Sequence, residues 1–109
     1  MMAPVALRML ELVQSFPTLR DTPQAFFEPW DPEAFAESRR AGSGGEKDAA
    51  LFVLSVWNPS TDWSEYGLTR HSSRNGEPCG FFDMHTALGN WDDKHRAAFL
   101  AWCAAPWWP

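Results

Sequence analysis

A chain of 109 residues is the size of one globular domain and can bury roughly two-thirds of its unfolded surface. Seven Trp and eight Phe supply large core pieces, so neither a disulfide framework nor a metal is needed to explain stability. A net charge of −5 argues against nucleic acid or an anionic membrane as partner, and no apolar run approaches the ~20 residues that span a bilayer.

The first eight residues, Met1 to Arg8, lack the basic start and unbroken apolar stretch of a signal peptide, so a cytoplasmic setting is expected. In such a chain Cys79 and Cys103 are expected as buried free thiols rather than as a disulfide. Pro4 suits a first helical position, where its missing N–H costs nothing. Val5, Met9, Leu12, Val13 and Phe16 then recur at helical spacing, until Pro17 ends the segment. Thr22-Pro23 opens a single turn through Phe26-Phe27, closed by Pro29. Asp31-Pro32-Glu33 is a stronger helix start: an N-cap acceptor, a proline, then an acid favoured by the dipole. This helix is predicted to run to about Arg40, with Gly42 beyond it.

Ser43 to Glu46 fits a capping box and leads into the apolar run that ends at Trp57. Residues 51–57 alone also fit a buried strand, but the cap and total length favour a central helix, stopped by Asn58-Pro59. Between Pro59 and Gly80 the pattern is least regular. Asn75-Gly76 is a turn dipeptide, and Tyr66–Thr69 with Cys79–Phe82 predicts a short hairpin that Pro78 weakens. Asp83 caps a short turn, Met84–Leu88, stopped by Gly89. Asn90 is expected to open the last helix, whose apolar stripe is Trp91, His95, Ala98, Phe99 and Trp102. Asp92 and Arg96 are spaced for an i,i+4 pair, and Pro106 ends the helix. The predicted fold is mainly α: a compact single domain over residues 1–109, with four to five helices and at most one hairpin near 66–82. The alternative is α+β, with 51–57 as a strand.

Pro106-Trp107-Trp108-Pro109 resembles the tetrapeptide after which the PWWP family of chromatin readers is named. That resemblance implies a small β-barrel built after the motif and a basic DNA-binding face. It covers four residues, none follows Pro109, and the chain is acidic where a nucleosome binder is basic, so the expectation is against it. The tryptophans are instead expected to close the core, Trp107 buried and Trp108 partly exposed.

Candidate binding residues are Trp63, Arg70, His71, Arg74 and Trp108; the loop from Arg70 to Glu77 carries the local positive excess of an acidic chain. Trp30, between Pro29 and Asp31, raises the same question of burial or anchoring. Asp83, His85, Asp92 and His95 are metal-ligand types, but without a recognised ligand spacing, and His95 on the apolar stripe reads as a hydrogen-bonded core residue. No nucleophile elbow and no phosphate-cradling glycine loop occurs. The expected function is non-enzymatic and without a cofactor: a small accessory, inhibitory or structural protein that binds another protein. The competing class is a small metal-binding protein or enzyme using Asp83, His85 and His95.

Overall fold

Prolines and side-chain acceptors mark where the helices begin in the computed structural model, which describes residues 2–71 and 77–109. Pro4 stands in the first turn of α1 (Pro4–Ser15). Asp31 accepts a hydrogen bond from the Ala34 N–H at 3.1 Å, ahead of α2 (Pro32–Ser38). Ser43 Oγ accepts from the Glu46 N–H at 3.3 Å, ahead of α3 (Gly44–Trp57). Asp83 accepts from His85 and Thr86 before α4 (Met84–Asn90), and Asp92 from His95 before α5 (Asp93–Ala104). Each cap satisfies a backbone donor that the helix cannot. Shorter 3-10 turns fill the connections at Pro17–Leu19, Gln24–Phe26 and Trp63–Tyr66. Among the described residues the fold is therefore mainly α, with five α-helices and one hairpin of β1 (Arg70–His71) against β2 (Pro78–Cys79).

Helix α3 is central. Residues 48 to 54 and Val56 are buried, and the helix touches α1, α2, α4, β1 and the 17–19 turn. A helix apolar on every side needs neighbours on every side. Residues 51–57 are helical, so the strand alternative is corrected: a continuous apolar run fits either state, and here the cap and the length decide it. Phe52 is the common contact of the aromatic core, with ring centroids 5.8 Å from Phe16, 5.2 Å from Phe82, 5.1 Å from Phe99 and 5.4 Å from Trp102. All four pairs meet edge to face, the arrangement that the ring quadrupole favours.

Two buried ionic groups brace this core. Arg39, 6% exposed, reaches Asp21 at 2.9 Å, Glu46 at 3.2 Å and the Thr18 carbonyl at 3.2 Å, and it also donates to the Thr22 hydroxyl. It thus ties the 18–22 segment to the start of α3. Glu46 turns its carboxylate to Arg39, whereas a full capping box would send it back to Ser43. Asp48, on α3, pairs with Arg70 of β1.

Several expectations are corrected in detail. Val5 is 40% exposed and Ala6 takes the buried place, because the stripe that meets α3 is Ala6, Met9, Val13 and Phe16. Helix α4 runs through Gly89, around which a Cβ would meet nothing within 4 Å, so neither strain nor crowding makes this glycine a stop. Asp92, not Asn90, caps α5; its carboxylate serves His95, and Arg96 lies instead 3.9 Å from Asp93. The hairpin pairs Arg70 with Cys79 and His71 with Pro78, because Tyr66 belongs to a 3-10 turn that Gly67 ends at φ 84°. Cys79 and Cys103 are free thiols, but neither is buried: Cys79 is half-buried and Cys103 exposed. The Asn75-Gly76 turn lies outside the described residues.

Candidate functional site

The turn between Thr22 and Asp31 builds an open apolar concavity. Phe27 and Trp30 form an isolated antiparallel bridge on either side of the cis Glu28–Pro29 bond, and their rings stack at 5.2 Å. Trp30 also leans on Phe35 at 5.7 Å, while Trp57, from the last turn of α3, stands nearly perpendicular to it at 6.1 Å and 80°. The start of α1 closes the other side with Met2, Ala3, Val5 and Ala6. The resulting cleft encloses about 520 Å³, larger than two other clefts of about 240 and 200 Å³. Among the described residues Glu28 is the one charged member of its lining. Its Oε1 accepts from the Gln24 side-chain amide at 3.0 Å, a neutral partner. The Trp30 indole N–H is buried without an acceptor.

The residues expected to bind are not gathered in one place. Trp63 is 4% exposed, so its ring is not offered to a partner; it lies beside Gly80, Phe81 and Phe82 at a cleft of about 200 Å³. Arg70 spends its guanidinium on Asp48 at 2.9 and 3.4 Å. His71 is placed through its backbone in β1, and Arg74 lies outside the described residues. Trp108 is 62% exposed and meets Trp102 edge to face at 5.3 Å. Trp107 is half-buried under the Arg8 guanidinium, 4.1 Å from its ring centroid, in the groove between α1 and α5.

The four candidate metal ligands divide into two caps. Asp83 holds the start of α4, where His85 is exposed; Asp92 holds the start of α5. Among the described residues no three His, Cys, Asp or Glu side chains converge on a point that could hold a metal ion. His95 is 5% exposed and bonded through both ring nitrogens. Nδ1 donates to Asp92 at 2.8 Å, and Nε2 lies 2.8 Å from the Thr18 hydroxyl, which it accepts from in that tautomer. The hydrogen bonds from His95, its backbone N–H first, hold the Asp92 carboxyl below its ordinary value. Phe16 and Trp91 pack against the imidazole at 5.9 and 6.3 Å. A hydroxyl, an imidazole and a carboxylate in line are the parts of a nucleophilic triad. None of the three lines the clefts above, so the arrangement holds α5 to the 17–19 turn.

Sequence reasoning marked Trp30 but not its meeting with Trp57, whose helical position says nothing about which distant turn it faces. Glu28 carried no signal at all. Comparison with protein-family models, with curated proteins and with solved structures returns no match for this chain.

Proposed function

We propose that this protein acts by binding another protein, whose apolar anchor enters the cleft between Trp30 and Trp57. The observation that carries the reading is an open, aromatic-walled cleft of about 520 Å³ with Val5 left 40% exposed at its edge. Large aromatic side chains at a concave, apolar surface are the usual anchors of protein recognition. The free thiols Cys79 and Cys103 fit a reducing compartment, and the reading places the protein in the cytoplasm. No described helix is long and apolar enough to cross a membrane.

Val5→Arg tests this at an exposed position. The side chain is 40% exposed in the first turn of α1, so melting should change little. Affinity capture should recover a specific protein with the unaltered chain and lose it with Val5→Arg. Equal recovery with both, or recovery with neither, would reject the cleft as the docking site.

A second reading, hydrolytic chemistry at Thr18, has the Thr18–His95–Asp92 line in its favour. It ranks behind the first because the imidazole is packed under two aromatic rings, away from any described cleft. Turnover of an activated ester that disappears in Thr18→Ala would promote it.

A further inference from the structure

We infer that the Trp30–Trp57 cleft takes the alkylammonium head and aliphatic stem of a lysine-type side chain on the partner protein. This rests on the docking reading above and specifies its anchor. The first support is the geometry of the rings. The two indoles meet edge to face at 80°, with Phe27 stacked on Trp30, and all three aromatic residues line the cleft. An aromatic lining of this kind attracts a cation and also accepts the apolar stem that carries it.

Charge is the second support. Among the described residues Glu28 is the single charged one lining the cleft, it is exposed, and its described hydrogen-bond partner is the neutral Gln24 amide. A carboxylate at the rim of an aromatic cleft, paired with no cation among the described residues, complements an ammonium group entering between the rings. An anionic anchor would meet repulsion from Glu28. The Trp30 indole N–H is buried and so is not offered to an anion in the cleft.

The test titrates the intact protein with Nα-acetyl-lysine amide and with Nα-acetyl-norleucine amide, which keeps the stem and lacks the ammonium. Indole N–H resonances of Trp30 and Trp57 report binding. The lysine derivative should bind roughly tenfold more tightly than the norleucine derivative, the gain expected of a partly desolvated cation over aromatic rings. Glu28→Gln, at an exposed position, should remove most of that preference while leaving norleucine binding unchanged. Equal affinity for the two probes, an unchanged preference in Glu28→Gln, or no shift with either probe would each overturn the inference. The docking reading is decided separately, by the Val5→Arg capture.

Discussion

Arg70 donates from Nε and Nη2 to the two carboxylate oxygens of Asp48, at 2.9 and 3.4 Å, and Asp48 is 2% exposed. Burial pushes the Asp48 carboxyl above its ordinary value, with Arg70 pulling the other way. A buried charge that loses its partner is costly, commonly ~3–5 kcal/mol, whereas losing both members costs far less. Arg70→Met should therefore destabilise the fold by an amount in that range. Adding Asp48→Asn should restore much of the loss. Urea denaturation of the two single variants and the double variant would check this, and additive losses would refute the coupling.

Acid stability follows from four aspartates. Asp21, Asp62 and Asp92 are held below the ordinary 3.8, chiefly by hydrogen bonds from Arg39, Ser64 and His95 respectively. Below 3.8 the unfolded chain protonates at these sites before the folded protein does, so stability falls as pH drops through their folded values. Asp48 has the opposite sign: from its raised value down to 3.8 the folded protein binds the extra proton, and stability rises as pH falls. Asp92→Asn keeps an N-cap acceptor and should leave neutral melting nearly unchanged while making the acid limb less steep. Melting temperature as a function of pH would check it.

Gly80 is required by the close approach of β2 to the 63–66 turn. Its carbonyl accepts from the Trp63 N–H at 3.0 Å, and an added Cβ would collide with the backbone nitrogens of Trp63 and Ser64 and with the Asp62 carboxylate. Backbone cannot yield as a flexible side chain does. Gly80→Ala should cost ~1–3 kcal/mol, as over-packing does, or more. Gly89→Ala, with open space around it inside α4, should instead be neutral or stabilising by up to ~1 kcal/mol. Denaturation of the two variants would distinguish them.

Trp107 and Trp108 are adjacent but differ in surroundings. Trp107→Ala removes a half-buried ring and its contact with Arg8, and should cost ~2 kcal/mol, about half the loss at a fully buried tryptophan. Trp108→Ala removes a mostly exposed ring with one edge contact to Trp102, worth ~1 kcal/mol or less. Equal losses in melting temperature would contradict this division.

What the sequence makes legible here is local. Ser43, Asp31 and Asp83 announce the helices they cap, because a cap and its donors lie within three residues. His95 is legible as a bonded core residue from its place among Trp91, Phe99 and Trp102. Pairings across the chain are not legible in this way. Thr18 and His95 are 77 positions apart, and Asp48 and Arg70 are 22 apart. Neither periodicity nor composition selects such partners. The candidate cleft belongs to the same class, since Trp30 in the turn before α2 and Trp57 at the end of α3 meet only through the tertiary fold. Val5 is misread for a smaller reason: a helical stripe placed one residue away fits the same apolar spacing, and only the α1–α3 contact chooses Ala6.

Phe52 touches the rings of Phe16, Phe82, Phe99 and Trp102, which come from three different stretches of the chain. Half-turns of a ring wedged among four others require the surrounding cage to dilate, because close-packed interiors leave no spare volume. The flip rate of Phe52 thus serves as a clock for breathing of the whole aromatic centre. Slow exchange between its two edges in a nuclear magnetic resonance spectrum would register a rigid centre, and loosening any one contributing segment would quicken it.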